Sequence, residues 1–489
     1  MYDVFIIGGG INGCGIAADA AERGLKTGLC EMNDLANATS GGSSKLIHGG
    51  LRYLEHFEFS LVRKALSERE ILLKKAPHLI KPMRFRIPLS RLLRPAWMIG
   101  IGLYLYDNLS KRSVLQGSSR IHFDADSPLL PQYTRGFEYS DAHTDDARLV
   151  LANALQAKQQ GADILSYTRC ISATRHQNYW TLTLESQVDK ERLIVKTKTL
   201  VNATGPWCSD LFGAVLPMTA PKHIRKVKGS HILVPAISDR PYAYLMQNND
   251  QRVVFVIPYL NQFSLIGTTD VDYPGDPSKV AIDDAEVDYL IEVTNRYFKK
   301  RITRNDVVGT YSAVRPLMDE EIDNPQAVTR DYHLEKTQER DMAPLVSVFG
   351  GKLTTYRLLA LGVLKALKPH LPNLADSRSA LSVLPGGAPY DWAQAQADFG
   401  WIPLDVLQTL HGRHGSRLPD MIGTAKTLKD LGVHFGHCLY GREVDFFMDE
   451  EWARTADDVL LRRTHEALFL DADQKQAVAD YMAQRVSQS

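Results

Sequence analysis

The residues whose spacing most directly implies chemistry stand at the start of the chain. Gly8-Gly9-Gly10-Ile11-Asn12-Gly13 fits G-x-G-x-x-G and follows the apolar run Val4-Phe5-Ile6-Ile7. In such a unit Gly8 permits a tight turn, Gly10 lets the backbone approach a pyrophosphate, and Gly13 lets helix and strand pack closely. The small-residue stretch Cys14 to Arg23 supplies a helix whose N-terminal N–H groups and dipole attract phosphate. Thr27 to Cys30 reads as a second strand, and Glu31 stands where a carboxylate accepts a hydrogen bond from a ribose hydroxyl. Glycines that serve only packing would give the same match. The ordered strand, turn, helix, strand and acid favour a dinucleotide. An acid with no nearby Arg or Lys in its place favours an unphosphorylated ribose, hence FAD or NAD over NADP.

Three further stretches carry groups suited to a cofactor. The segment from Ala38 to Tyr53 is dense in glycine and hydroxyls, and Thr39, Ser40, Ser44, Lys45, Leu46, His48 and Gly49 are its candidate cofactor contacts. A strand from Leu200 leads into Ala203-Thr204-Gly205, the pattern of a later strand passing beneath a bound nucleotide. A strand from Leu345 to Phe349 ends at Gly350-Gly351-Lys352, and a helix follows from Leu353 to Leu367. That second strand–glycine–helix junction makes Gly351, Lys352, Leu353 and Thr354 candidates as well. Metal chemistry has little to recommend it. The cysteines are scattered and lack C-x-x-C, and His411 and His414 share a helix face without a carboxylate pattern, so no metal site is expected.

These groups need elements to hold them. The chain has 489 residues, enough for two or three domains. Lys plus Arg and Asp plus Glu number 57 each, which argues against a general nucleic-acid binder. Five cysteines, odd in number, suggest a reducing compartment without a disulfide framework. With the first strand at residue 2 or 3, no signal peptide is expected and the cytoplasm is the expected location. Ser60 to Lys75 reads as a helix, Thr144-Asp145-Asp146 as the cap of an amphipathic one, and Asp283 to Lys300 as another. Strands at Gly229 to Pro235, Arg252 to Pro258 and Phe263 to Ile266 suggest an antiparallel substrate domain over the cofactor. No window reaches the roughly 20 apolar residues of a membrane span. The stretch Pro95 to Tyr106, flanked by Arg91, Arg94 and Lys111, fits a buried element or a membrane-surface patch.

Taken together, the chain resembles the FAD-dependent glycerol-3-phosphate dehydrogenases of the bacterial aerobic type, over nearly its whole length. The resemblance rests on IIGGGINGCGIAADAAERG (6–24), ATSGGSSKLIHGGLRYLE (38–55), RGFEYSDAHTDDARLVLANA (135–154), VNATGPW (201–207), KGSHILVP (228–235), IGTTD (266–270), YSAVRPL (311–317), SVFGGKLTTYR (347–357) and EWARTADDVLLRR (451–463). It implies an α/β fold of the glycine and D-amino-acid oxidase type. FAD-binding segments are expected at about 1–66, 136–214 and 322–384, and an antiparallel-sheet cap at about 67–135 and 215–321. A helical C-terminal domain is expected over 385–489. The implied reaction oxidises sn-glycerol 3-phosphate to dihydroxyacetone phosphate and passes electrons from FAD to a membrane quinone, the alternatives being a soluble oxidase that uses oxygen and a flavin-binding membrane-associated scaffold without turnover. The implied location is the inner face of the cell membrane, peripherally on an anionic surface, and a homodimer is compatible with it.

A substrate with a phosphate dianion and a secondary alcohol needs fixed cations and a proton acceptor. The resemblance places Arg52, Arg315 and Lys352 over the flavin, Tyr53 can add a hydroxyl, and Arg330 is a further candidate. His231 is the leading proton acceptor, since imidazole ordinarily titrates near neutrality, and His48 is the alternative. Thr268 and Asp270 could orient a hydroxyl. For the membrane contact two stretches qualify, Arg91 to Tyr106 and the helix Leu353 to Leu367 with its basic Arg357, Lys365 and Lys368.

Overall fold

The structure, a computed structural model, describes residues 1–90, 94–250, 252–318, 331–337, 339 and 341–488. Arg91 and Arg330 therefore lie outside the described residues. The apolar run Tyr2–Ile7 is the centre of a parallel sheet. It pairs on one side with Thr27–Cys30 and on the other with Arg192–Asn202. Asp163–Leu165 and Leu345–Phe349 extend the sheet in parallel, and His333–Thr337 closes one edge antiparallel. Helix Ile11–Glu22 packs against helices Asp146–Gln159 and Tyr356–Leu367. Its small residues allow that approach: a side chain at Gly15 would sit 2.5 Å from the Tyr356 ring.

The expected cap at Thr144-Asp145-Asp146 forms as read, with Asp145 accepting from the backbone N–H of Arg148. The helix after Gly350-Gly351-Lys352 starts differently. Leu353–Thr355 is a tight 3₁₀ turn, and the α-helix begins at Tyr356. The Thr354 hydroxyl lies 3.3 Å from the backbone N–H of His48, which ties that turn to the glycine-rich segment. Much of this helix's apolar surface is packed inside the fold. Leu359, Val363, Leu364 and Leu367 are fully buried, and Arg357 is buried in a two-pronged pair with Glu68.

A ten-stranded, mostly antiparallel sheet covers the carboxyl ends of the parallel strands. Strand Ile224–Pro235 pairs with Phe263–Gly267 and, over ten residues, with Gly309–Met318. Its alternation is plain. Leu233 joins the core beneath helices Phe59–Lys75 and Ala96–Asn108, while Ile232 and Val234 face the core under helix Asp284–Tyr297. The strand Arg135–Thr144, expected at the start of a FAD-binding segment, belongs to this sheet instead. It pairs with Ile80–Pro88 along nine residues, with Phe137 and Tyr139 in the cap core. The short Leu46–Ile47 strand pairs with its far end, so the first segment also feeds the cap.

From Trp392 onward the chain is mostly helical and closes its own core around Val406, Leu410, Val444, Phe447 and Val459. Buried ion pairs fasten it to the rest. Arg463 grips Asp34 with both terminal guanidinium nitrogens, Arg462 reaches the same carboxylate at 2.5 Å, and Glu451 pairs with Arg148 and Arg417.

Candidate active site

Between the parallel sheet and the cap lies an elongated cavity of about 830 Å³. Gly8 and Gly10 line it, as do Glu31, Thr39, Ser40, Ser44, Leu46, His48, Ala203, Gly205, Gly351, Lys352, Leu353 and Thr354. At Gly8 the backbone has φ +116°, and a side chain there would meet the Ala203 carbonyl at 2.4 Å. The helix that starts at Ile11 carries no acidic residue in its first turn, so no carboxylate of its own opposes phosphate there. Ser40 Oγ accepts from the Ile11 N–H at 2.9 Å, which draws the hydroxyl segment over that turn. Glu31 accepts from the backbone N–H groups of Gly9 and Asn33 at 2.7 and 3.0 Å. Burial pushes its carboxyl up, against those two N–H groups. A long slot with a phosphate-ready turn, an acid at one end and polar residues at the other fits a flavin dinucleotide.

Gly13, Lys45 and Gly49 stand outside the cavity lining, Gly13 in the packing role expected of it. Gly13 is a packing position, where a side chain would lie 1.9 Å from the Gly8 carbonyl. Lys45 turns out of the cavity at φ +56°, and its ammonium makes a buried 2.6 Å pair with Asp146. Gly49 donates to the Tyr106 hydroxyl at 2.7 Å, within a buried cluster that also holds Asp141 and Arg69. The sequence reading in turn missed Arg169 and Cys170 at the end beside Glu31, and Phe255 and Ser312 under the cap. A residue's alternation along its strand was the available signal, but the facing element was not.

Arg52, Tyr53, His231, Arg315 and Lys352 all line the same cavity. Lys352 places its ammonium 3.8 Å from the centre of the Tyr53 ring. Arg315 is anchored from behind. Its guanidinium pairs with Asp270, donates to Thr268 Oγ1 at 2.9 Å and reaches the Thr269 carbonyl at 3.3 Å. Gly229 leaves it room, since a side chain there would come within 2.4 Å of Nη2. His231 stacks on Tyr311 with ring centres 4.8 Å apart and packs over Gly267, where a side chain would lie 2.1 Å away. Its Nε2 lies 2.9 Å from Ser44 Oγ. Burial, then the charges of Arg315 and Lys45, push His231 well below its ordinary value, so the ring is neutral at physiological pH and does not titrate near neutrality as its type suggests. His48 also lines the cavity, 6.5 Å from the Phe255 ring centre.

Among the described residues one His–Cys–Glu group, His437, Cys438 and Glu466, has ligand atoms close together. It lies in the C-terminal domain, and Arg413 already neutralises its carboxylate.

Residues 3–343 match the family of FAD dependent oxidoreductases, and residues 377–489 match the C-terminal domain of alpha-glycerophosphate oxidase. The aerobic glycerol-3-phosphate dehydrogenase of Escherichia coli K12 is 49% identical over 99% of this chain and 98% of its own length. The chain belongs to the FAD-dependent glycerol-3-phosphate dehydrogenase family. Within that breadth, the D-erythritol 1-phosphate dehydrogenase of Brucella abortus is 45% identical over 98% of this chain and 97% of its own. A solved glycerol-3-phosphate dehydrogenase from Bacillus halodurans, complexed with FAD, superposes with a TM-score of 0.80 at 27% identity, covering 100% of this chain and 91% of that one. The family's cofactor is FAD, and the glycine turn, Glu31 and the slot between the sheets are what this chain offers it.

Proposed function

We propose that this chain oxidises sn-glycerol 3-phosphate to dihydroxyacetone phosphate and delivers the electrons to a membrane quinone. The observation that supports the reading is that Arg52, Arg315, Lys352 and the neutral imidazole of His231 line the same cavity as the glycine turn. Three cations suit a phosphate dianion, with Arg offering bidentate bonds and Lys a point charge. Arg330 joins the proposed substrate set as a candidate from the sequence alone. FAD, when bound, would supply the two-electron acceptor for the hydride of the carbinol carbon. The chain's own residues do the rest. Arg315, pre-set by Asp270 and Thr268, orients the phosphate together with Lys352 and Tyr53. His231 receives the hydroxyl proton at Nε2, directly or across Ser44 Oγ.

The same reading places the protein at the inner face of the cell membrane. No helix among the described residues is long and apolar enough to cross a membrane. Helix Ala96–Asn108 instead shows two apolar faces. Ile99, Leu103 and Tyr106 are buried, while Trp97, Ile101 and Tyr104 are exposed, and the helix packs on the Leu51–His56 turn that carries Arg52 and Tyr53. An apolar surface beside the cavity suits an acceptor dissolved in lipid. Stopped-flow mixing tests the function. Anaerobic glycerol 3-phosphate should bleach the flavin, and a quinone analogue in lipid should reoxidise it faster than oxygen does. Reoxidation by oxygen alone would assign an oxidase, and no bleaching would remove the substrate assignment.

A further inference from the structure

Behind the site, on the opposite face of the cap strand from His231, sits a buried carboxylate that no step above uses. Glu286 enters from helix Asp284–Tyr297. Strand alternation puts Ser230 on its side of the sheet, one residue before His231. Glu286 Oε1 accepts from Ser230 Oγ at 3.0 Å and from Thr269 Oγ1 at 2.6 Å. Thr269 Oγ1 in turn accepts from the Ser230 N–H at 2.9 Å, closing a ring of three bonds. Glu286 Oε2 is held by Lys228 at 2.8 Å and by the Asp283 N–H at 3.1 Å. The carboxylate is therefore fixed on both oxygens, and it ties two separate pieces of backbone together. One is the strand that presents His231. The other is the Thr268-Thr269-Asp270 corner, each of whose residues touches the Arg315 guanidinium. Ser230 Oγ also lies 2.8 Å from Ser312 Oγ, a cavity-lining residue on the strand that bears Arg315.

We propose that Glu286 is a positioning residue for the substrate-phosphate site: acting through Thr269 and Ser230, it fixes the corner that aims Arg315 and holds that corner in register with His231. A helix capping role alone needs only the Oε2 bond to the Asp283 N–H. The two hydroxyl bonds on Oε1 are the part that reaches the site. The proposal rests on reading Arg315 as a phosphate ligand.

The test uses flavin-loaded full-length enzyme, normalised to bound FAD, with kcat and KM for glycerol 3-phosphate. Thr269→Val keeps shape and deletes the hydroxyl, Thr269→Ser restores it, and Glu286→Gln keeps an acceptor while removing the charge. Thr269→Val should raise KM about tenfold, with a smaller change in kcat and an unchanged melting temperature, and Thr269→Ser should return KM to within about twofold of wild type. Glu286→Gln should fall between them. If it does not accumulate as folded protein, the two Thr269 variants decide alone. Wild-type KM in Thr269→Val, or a loss confined to kcat, overturns the proposal when Arg315→Ala raises KM in parallel. An Arg315→Ala variant with wild-type KM overturns the phosphate assignment instead.

Discussion

A histidine pressed between the Tyr311 ring and the backbone of Gly267 has no room for the hydration shell that an imidazolium needs. Burial is the larger reason its protonated form is disfavoured, and the cations Arg315 and Lys45 add to it. The sign for catalysis follows. A base with a depressed pKa stays in its active, neutral form until the pH falls well below the ordinary 6.5. Once the second ionisation of the substrate's phosphate is factored out, kcat/KM should be flat from about pH 6 to 8. A limb centred near 6.5 in that corrected profile would point to another base, with His48 first in line. His231→Ala should slow anaerobic flavin reduction by about 10²–10⁴-fold and change substrate affinity far less. In the proposed function Arg315 holds the phosphate half of the substrate. Its guanidinium is already oriented by Asp270 and Thr268, so truncation to Ala should cost about 2–4 kcal/mol in kcat/KM for glycerol 3-phosphate. The sequence singles out both residues by type and neighbourhood, and both line the cavity. Lys45 and Gly49 show where such reading stops, because a left-handed backbone at Lys45 sends its ammonium to Asp146 and Gly49 is committed to Tyr106.

Helices illustrate the same divide one level up. Asp145 before an apolar-periodic run and Asp283 three residues before Glu286 are local signals, and both helices start where those signals stand. The two stretches proposed for the membrane look alike as sequence, each apolar with basic residues nearby. Tertiary packing separates them. Helix Tyr356–Leu367 spends its apolar face on helix Ile11–Glu22, and Arg357 on Glu68. Helix Ala96–Asn108 has a second apolar face left over, since Trp97, Ile101 and Tyr104 recur at helical spacing on the side away from its core. The assignment of Arg135–Thr144 to the cap was likewise hidden, because alternation identifies a strand but not its partner. Replacing Trp97 and Ile101 together by Glu should remove about 3 kcal/mol of apolar transfer, enough to abolish co-sedimentation with anionic liposomes. Quinone reduction should lose its stimulation by lipid, while anaerobic flavin bleaching by substrate stays at the wild-type rate. Liposome binding that survives the double change would move the contact to another face.

On the scale of the molecule, buried ion pairs join the C-terminal domain to the rest. The helical turn Asp458–Arg463 inserts Arg462 and Arg463 against Asp34, in the turn after Glu31 whose neighbours Met32, Asn33 and Ala36 line the cofactor slot. A second clamp joins Glu451 to Arg148 of the helix that packs on Ile11–Glu22. Buried pairs of this kind add little over apolar packing while intact, but removing one partner strands the other charge. Arg463→Leu leaves Asp34 with Arg462 alone and should cost about 3 kcal/mol. Because the affected turn borders the slot, flavin fluorescence should rise at the temperature where the domain interface melts. Acid should act through Glu451. Burial would raise its pKa, but Arg148 and Arg417 outweigh that and hold it at about 2, below its ordinary 4.5. A depressed acid contributes its full stabilisation above its unfolded value and loses it as the pH falls through the folded one. The interface should therefore weaken between about pH 4.5 and pH 2, with flavin release as the readout. A Glu451→Gln variant should be less stable at neutral pH and should lack this part of the acid transition. Retention of the full transition in that variant would place the acid-sensitive group elsewhere.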